Sequence, residues 1–347
     1  MRGHCVQHPD RISRAPLPHV RPRHRRHAAR RARTERPRVK RIGITGIAGF
    51  IGSNLADRLL SAGYDVVGYD NLAYGVREQV PDGVEFHEVD VRGREIYDLF
   101  ERVDVLFHLA AKNCIADCQE DPVETADVNV TGTVNVFEAA RRAGVGKIVY
   151  AESSALYEGS QSLPTPESDV CPESFYATSK LAGMAFAQAY RRFFETRTTA
   201  LRYFCVYGPR QDYRRTIPPV MSAFIINLLR GRRPVIYGTG EKRRDFVYVD
   251  DVNDFHLRCI EDRATDGHTF NLGSGVNYSI GELFAIVADL LGSNLQPEYR
   301  PDLPGEAREN LADISAARAL GWEPRTGLRE GLRRSVAYIK GELSKIA

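Results

Sequence analysis

"GITGIAGFIG" occupies residues 43–52 and decides the fold. It places Gly46, Gly49 and Gly52 at a G-x-x-G-x-x-G spacing, between an apolar strand-like run and a helix-like run. Glycines at such a turn let the backbone approach a pyrophosphate, and the N-terminus of the following helix offers free N–H groups. The next predicted strand ends at Asp70, 18 residues after Gly52, as a dinucleotide-binding fingerprint requires. We therefore predict a dinucleotide site at this turn.

Asp70 also indicates which dinucleotide is bound. A carboxylate at the end of the second strand can accept hydrogen bonds from both hydroxyls of the adenosine ribose, and it would repel a 2′-phosphate. The first arginine after it is Arg77. We therefore expect NAD rather than NADP. Asp90, at the end of the third predicted strand, either accepts from the adenine amino group or only caps its strand.

Strand-like and helix-like runs alternate from residue 41 onward. Strand-like runs occupy residues 41–46, 65–70, 85–90, 103–111, 147–154 and 198–208. Helix-like runs occupy residues 50–63, 123–144 and 176–194. This alternation predicts an α/β fold with a doubly wound parallel (Rossmann) sheet.

The charge of the chain is unevenly distributed. Residues 1–40 contain 12 Arg and one Lys against only Asp10 and Glu35, and the rest carries 35 basic and 43 acidic residues, a net charge of −8. A tail of this composition predicts a disordered extension or a misassigned start, with a polyanion-binding arm as the alternative. Because the remainder is acidic, we expect it to bind no nucleic acid.

Composition excludes several other classes. No apolar run approaches the roughly 20 residues that a membrane span needs, so no membrane partner is expected. The six cysteines do not suggest a disulfide framework, which fits a reducing cytoplasm. His108, Cys114 and Cys118 lack a fourth ligand at a useful spacing, so no metal is expected.

Three polar residues are candidates for catalysis. Ser153 lies at the end of the fifth predicted strand, and Tyr176 and Lys180 follow on one face of a helix. Ligands of doubly wound sheets bind at the carboxyl ends of strands, where these groups meet. We expect Lys180 and a cationic nicotinamide to lower the Tyr176 pKa from about 10, with Ser153 holding the substrate oxygen.

These features occur in a series of motifs that resembles a known family. The motifs are "TGIAGFIGSNL", "YDNL", "HLAA", "DVNVTGTVNVFEAAR", "SSALY", "YATSK", "RYFCVYGPRQ", "RRDFVYVDDV", "FNLGSG" and "ADISAARALGWEP". Over residues 41–335 the chain resembles the extended short-chain dehydrogenase/reductases, specifically their nucleotide-sugar epimerases and dehydratases. The resemblance implies a tightly held NAD, a nucleoside-diphosphate-sugar substrate and a homodimer.

The resemblance also implies the residues that contact the cofactor. They are Gly46, Gly49, Phe50, Ile51, Gly52, Asp70, Asn71, Asp90, Val91, Leu109, Ala110, Ala111, Tyr176 and Lys180. It further suggests three parts of the chain: the extension 1–40, an NAD-binding domain 41–208, and a lobe 209–347 that mainly binds the nucleotide sugar. Residues 235–275 are expected to return partly to the Rossmann sheet.

Ser154 and Ala155 indicate the reaction. Dehydratases that resemble this chain carry Asp-Glu at these two positions for expelling a hydroxyl. Without that pair the chain is more similar to the 4-epimerases, which invert C4 of a UDP-sugar through a transient 4-keto intermediate. UDP-glucose, UDP-glucuronate and UDP-N-acetylglucosamine types stay open. The alternatives are another nucleotide-sugar reductase, epimerase or dehydratase, or a non-catalytic NAD-binding sensor.

The substrate-binding residues follow from the same resemblance. They are Ser153, Ser154, Cys205, Arg210, Arg244 and Arg308. Guanidinium groups suit phosphate oxygens, and a uronic acid could instead pair with Arg210, Arg214 or Arg215. Cys205 stands where the family often has Asn, and Met184 where a Glu is frequent.

Overall fold

The computed structural model describes residues 39–212, 218–302 and 307–345. The predicted Arg-rich extension falls almost wholly outside these ranges, as do Arg214 and Arg215.

The described residues contain twelve strands, named here in chain order. They are β1 Arg41–Thr45, β2 Asp65–Asp70, β3 Glu85–Glu88, β4 Val105–His108, β5 Lys147–Ser153, β6 Thr198–Tyr203, β7 Cys205–Tyr207, β8 Val235–Tyr237, β9 Arg243–Tyr248, β10 Thr269–Leu272, β11 Asn277–Ser279 and β12 Glu298–Arg300.

Ten α-helices connect and cover these strands in the described ranges. They are α1 Phe50–Ser61, α2 Ile115–Glu120, α3 Pro122–Ala126, α4 Gly132–Ala143, α5 Phe175–Phe194, α6 Val220–Leu229, α7 Val249–Glu261, α8 Ile280–Leu290, α9 Ser315–Ala319 and α10 Leu328–Ser344.

The central sheet is the predicted doubly wound one. Its seven strands run in the order β3-β2-β1-β4-β5-β6-β10, and every pairing in it is parallel. The order reverses between β1 and β4, which is the point where such sheets bind their ligands. The prediction of a Rossmann fold is confirmed.

The two faces of this sheet are covered by different helices. Successive residues of β4 show the division: Phe107 belongs to the core with α1 and α7, and Leu106 to the core with α4 and α5. Strands buried on both faces read as continuous apolar runs, which is why their positions are visible in the sequence.

The predicted sixth strand, residues 198–208, is in fact two strands. The chain leaves the central sheet at Phe204, and β7 pairs with β9 in a separate three-stranded sheet with β11. β8 and β12 form a parallel pair. The apolar pattern continues through Phe204 because β6 is buried and β7 is at least half-buried, so the pattern does not mark the change of sheet.

The predicted helix 123–144 also contains a break. A π-helical turn, Asp127–Thr131, separates α3 from α4. The buried Asn129 side chain in this turn donates to the Lys112 carbonyl (2.9 Å) and to Ser179 Oγ (3.0 Å). The turn therefore attaches α4 to α5 near the carboxyl edge of the sheet.

A smaller apolar cluster lies around α6, α8 and α10, with Phe224, Phe246 and Phe284 among its buried residues. β10 joins the seven-stranded sheet, although it follows elements of this cluster in the chain. The division at residue 208 stays a proposal. In the described ranges, no helix combines the length and apolarity of a membrane span.

Candidate active site

The glycine turn brings three backbone segments close together. Gly46 adopts φ +75°, and a Cβ there would lie 2.7 Å from the Ala110 nitrogen. A Cβ on Gly52 would lie 2.3 Å from the Gly46 carbonyl oxygen. Gly49 is the N-cap residue of α1 and has no side chain to cap the helix. The first N–H groups of α1 are therefore available to a ligand.

Asp70 is held by backbone groups at the end of β2. Its two carboxylate oxygens accept hydrogen bonds from the N–H groups of Ala48 (3.0 Å) and Leu72 (2.9 Å). Burial raises the pKa of this carboxyl, and the two N–H groups act in the opposite direction. The carboxylate is thereby fixed beside the glycine turn, as the ribose interaction requires.

Asp90 caps its strand, and its contact with the adenine amino group stays a prediction. It lines the same cleft as Asp70, and it accepts from the Arg92 backbone N–H at 2.8 Å, which is a capping contact. The Arg92 guanidinium and Asn71 Nδ2 also bind it. The Arg92 hydrogen bond is the main reason that the Asp90 pKa is lowered to about 2.

One cleft of about 440 Å³ collects these groups at the carboxyl edge of the sheet. This volume is typical of a small-molecule site. All fourteen residues expected to contact the cofactor line it: Gly46, Gly49, Phe50, Ile51, Gly52, Asp70, Asn71, Asp90, Val91, Leu109, Ala110, Ala111, Tyr176 and Lys180.

Ser153, Tyr176 and Lys180 also meet in this cleft. Ser174 caps α5 by accepting from the Ala177 N–H at 3.1 Å, which sets the start of the helix just before Tyr176. Lys180 Nζ donates to the Ala151 carbonyl at 3.0 Å and lies 5.9 Å from the centre of the Tyr176 ring. Ser153 lies within hydrogen-bonding reach of Tyr176.

Burial is the main influence on the pKa of Tyr176. Burial raises the pKa of this phenol to about 12, and the hydrogen bond with Ser153 acts in the opposite direction. The lowering expected from Lys180 together with a cationic nicotinamide stays a prediction. Lys180 is itself desolvated, and burial lowers the pKa of its ammonium to about 8. Loss of hydration is therefore the largest cause of both pKa shifts.

The predicted substrate residues are only partly brought together. Ser153 and Cys205 line the cleft, whereas Ser154, Arg210, Arg244 and Arg308 do not. Arg210 lies against α1, where it donates to the Ser53 carbonyl (2.9 Å) and pairs with Asp57 (2.5 Å). It is therefore engaged away from the cleft.

Arg244 and Arg308 lie next to each other, beyond the Cys205 end of the cleft. Arg244 donates to the Arg308 carbonyl at 3.5 Å, and Asn310 donates to Cys205 Sγ at 3.9 Å. Burial raises the pKa of the Cys205 thiol, and the charge of Arg244 opposes this. The two arginines thus neighbour the cleft without lining it.

Sequence reasoning missed a buried cation in the cleft. Lys112 is 4% exposed, and its ammonium pairs with Glu124 at 2.5 Å. Both residues line the cleft, together with Tyr74 and Arg92. The signal was available, because Lys112 directly follows the predicted strand 103–111 at the ligand-binding edge.

The residues present fit a dinucleotide. The glycine turn leaves no room for a Cβ at residue 52, and the uncapped start of α1 and the fixed Asp70 carboxylate lie on one cleft. Close backbone approach, free N–H groups and a ribose acceptor are the three requirements of this cofactor class.

Comparison with known proteins identifies the family. The sequence pattern of the NAD dependent epimerase/dehydratase family matches residues 42–273. The chain belongs to this family, and NAD is its cofactor.

Three relatives align over most of their length. A UDP-glucose 4-epimerase of Mycolicibacterium smegmatis is 38% identical over 305 residues, covering 85% of this chain and 97% of the relative. A putative UDP-glucose 4-epimerase of Methanocaldococcus jannaschii is 36% identical, covering 84% and 96%. A UDP-glucuronate 4-epimerase of Thermodesulfobacterium geofontis is 32% identical, covering 86% and 96%.

Two solved structures are similar in fold and sequence. UDP-glucose 4-epimerase from Thermotoga maritima, with UDP-glucose, superposes with a TM-score of 0.84 at 34% identity, covering 87% of this chain and 99% of that one. The Thermus thermophilus UDP-glucose 4-epimerase, in complex with NAD, gives a TM-score of 0.81 at 34% identity, with the same coverage.

Proposed function

We propose that this protein is a UDP-sugar 4-epimerase that uses a bound NAD. The observation that carries the proposal is that one cleft contains both the glycine turn and the group Ser153, Tyr176 and Lys180. A binding module has no need for a phenol, a hydroxyl and an ammonium together at the edge of its dinucleotide site. The names of the relatives support the same activity.

The cofactor would be held by this chain's turn and carboxylates. The N–H groups at the start of α1 would bind its pyrophosphate, and Asp70 would accept from its adenosine ribose. Lys180 would contact the ribose next to the nicotinamide. When bound, NAD supplies the acceptor and donor of one hydride.

Tyr176 would handle the proton of the sugar. Its phenolate oxygen would take the proton of the C4 hydroxyl when C4 is oxidised, and the phenol would return it when C4 is reduced on the other face. A phenol with a pKa of about 12 is protonated at neutral pH and cannot accept a proton, so a nearby positive charge has to stabilise the phenolate. Lys180 is positioned for this, and Ser153 would hold the same sugar oxygen.

The turn after β5 favours epimerisation over water elimination. Ser154 and Ala155 supply no carboxylate there, and the Ala155 N–H donates to Ser153 Oγ at 3.2 Å. Expulsion of a hydroxyl needs a general acid near the leaving group. This turn therefore fixes Ser153 for binding an oxygen and contributes no acid of its own.

The nucleotide end of the substrate would lie beyond Cys205. Arg244 and Arg308 neighbour each other there, and two guanidinium groups suit a diphosphate. We expect UDP-glucose to be turned over faster than UDP-glucuronate, because Arg210, a candidate partner for a C6 carboxylate, pairs with Asp57 instead. Of the three relatives described above, the two with the higher identity are named UDP-glucose 4-epimerase and putative UDP-glucose 4-epimerase.

A homodimer is the expected assembly. Phe175, Phe186 and Phe193 recur on one side of α5 and are 53%, 40% and 71% exposed. Three large apolar side chains on one helix face favour contact with another protein. Sedimentation of the wild-type protein and of Phe186→Glu tests this, and a dimer that survives the added charge would contradict it.

The activity is tested with purified protein and no added NAD. UDP-glucose, UDP-glucuronate and UDP-N-acetylglucosamine are supplied separately, and the configuration at C4 is read by NMR. Inversion of at least one sugar supports the proposal. A 4-keto-6-deoxy product, or no change in any of them, overturns it.

A further inference from the structure

A buried ion pair lies directly behind the catalytic edge of β5. Glu152 and Arg202 face each other across β5 and β6, and Arg202 Nε donates to Glu152 Oε2 at 2.6 Å. The two side chains are only 1% and 2% exposed. Burying two charges costs hydration free energy that their attraction barely offsets. Apolar residues of similar size would stabilise the fold at least equally well. The pair therefore calls for an explanation other than stability.

Both carboxylate oxygens and all three guanidinium nitrogens of the pair have polar contacts. The second carboxylate oxygen of Glu152 accepts from the Tyr150 hydroxyl at 2.9 Å. Arg202 also donates to the Tyr157 hydroxyl (2.7 Å) and to the Glu167 carbonyl (2.5 Å), and its remaining nitrogen contacts Met184 Sδ of α5 at 3.3 Å. These bonds fix the Glu152 carboxylate in place beneath α5.

Glu152 is also adjacent to the proposed reaction centre. It lies between Ala151, whose carbonyl binds Lys180, and Ser153, and it lines the cleft with both. Met184, which touches the guanidinium, follows Lys180 by one helical turn. The ion pair therefore contacts the same stretch of α5 that carries Lys180.

We propose that Glu152 is a positioning residue for Lys180: its carboxylate, anchored by Arg202, holds the lysine in its charged form on the Ala151 carbonyl. The inference rests on the proposed function, in which Lys180 acts as a cation. It assigns the buried ion pair to electrostatic support of the site.

The groups around Lys180 agree with this assignment. Burial lowers the pKa of Lys180, and Glu152 is the first group that raises it, followed by Cys118 of α2. His108 of β4 has a pKa lowered to about 3 by burial and is neutral. Tyr176, on α5 itself, is a protonated phenol at neutral pH. Burial raises the pKa of the Cys118 thiol. Of these described groups, Glu152 alone is a carboxylate.

The decisive experiment measures the titration of Lys180 directly. The chain has seven lysines, so protein labelled with ¹³C at the lysine Cε gives few signals, and Lys180→Arg assigns the one of interest. Wild-type holoenzyme is compared with Glu152→Gln, which keeps the shape and removes the charge. We expect Lys180 to titrate about one pH unit lower in the variant, with the alkaline limb of kcat moving by the same amount.

A second variant separates charge from folding. Glu152→Gln leaves a lone buried cation and could destabilise the fold, whereas Glu152→Gln combined with Arg202→Met removes both charges. In the double variant we expect near-normal NAD content and unfolding temperature. The pKa of Lys180 should still be lower than in the wild-type protein. Unchanged titration in both variants, with loss of stability in the single one, would overturn the proposal and leave a structural ion pair. Because the NMR titration needs no turnover, absence of epimerisation would count against the proposed function alone.

Discussion

Lys180 Nζ donates a 3.0 Å hydrogen bond to the carbonyl oxygen of Ala151, two residues before Ser153 on β5. This bond joins α5 to the carboxyl end of the sheet, and it sets the lysine between Tyr176 and the strand. The same position removes the ammonium from water, which lowers its pKa to about 8.

The first prediction concerns pH. A lysine with a pKa of about 8 is charged below that pH and loses its charge as the pH rises through it. We therefore expect kcat to fall on the alkaline side of about pH 8, approaching a tenfold loss per pH unit. Lys180→Arg provides the control, because guanidinium stays charged: its residual activity should show no such limb. If kcat of this variant still falls above about pH 8, the fall is caused by the titration of another group.

The second prediction concerns the phenol. Tyr176→Phe should lower kcat by about 10²- to 10⁴-fold, the usual contribution of a positioned acid–base group, with NAD still bound and KM little changed. Tyr190→Phe, on the same helix, removes a hydroxyl that meets Glu138 at 3.4 Å and should be nearly normal. Steady-state kinetics on both variants decide this; turnover retained by Tyr176→Phe would remove the residue from its role.

The third prediction concerns the glycine turn. A methyl group on residue 52 would meet the Gly46 carbonyl at 2.3 Å and Ile47 Cα at 2.8 Å, and neither backbone atom can move cheaply. Gly52→Ala should cost about 1–3 kcal/mol of stability and release NAD on purification. Gly341→Ala in α10, where no atom lies within 4 Å, is the matched control and should be neutral or stabilising. Absorbance of bound cofactor and thermal unfolding are the readouts.

The fourth prediction concerns cofactor choice. Asp70→Asn removes the charge that would repel a 2′-phosphate, and it leaves one oxygen to accept from the two N–H groups of Ala48 and Leu72. We expect NAD affinity to fall roughly tenfold to a hundredfold. The ratio of the NADP dissociation constant to the NAD dissociation constant should decrease. Asp65→Asn, at the exposed start of the same strand, should change neither. Calorimetric titration measures both cofactors, and an unchanged ratio would contradict the assignment of Asp70.

The fold and the cofactor side of the cleft could be predicted from sequence because their signals are local. Gly46, Gly49 and Gly52 lie within seven residues, and strand and helix patterns alternate around them. Asp70 needs only the end of the next strand. The parallel topology then brings Ser153 and Lys180 to the same edge without further information.

The substrate side could not be predicted in the same way, because long-range contacts determine it. Arg210 has a neighbour on α1, Asp57, that is 153 positions earlier in the chain. Arg202 and Glu152 become partners only through the pairing of β5 with β6. The direction of the Tyr176 pKa shift depends on how far the folded chain desolvates the phenol, which the spacing of Tyr176 and Lys180 does not indicate.

The fifth prediction concerns the basic extension. Removal of residues 2–38, with Val39 kept, should leave kcat/KM and NAD content unchanged, because the residues expected to bind the cofactor and the three candidate catalytic residues all follow residue 39. Binding to a polyanion such as heparin should fall in the shortened protein. Loss of epimerase activity on deletion would show that the extension contributes to the site.

In the proposed reaction the chemistry takes place at C4, by oxidation and reduction within one bound complex. The most direct measurement is proton NMR of UDP-glucose incubated with the purified protein in D₂O without added NAD. We predict the C4-inverted sugar with protium, not deuterium, at C4 and also at C3 and C5, because the hydrogen removed from C4 is returned there. Deuterium at C3 or C5 would indicate inversion by carbon deprotonation, and deuterium at C4 would show exchange with solvent; either result would contradict the account.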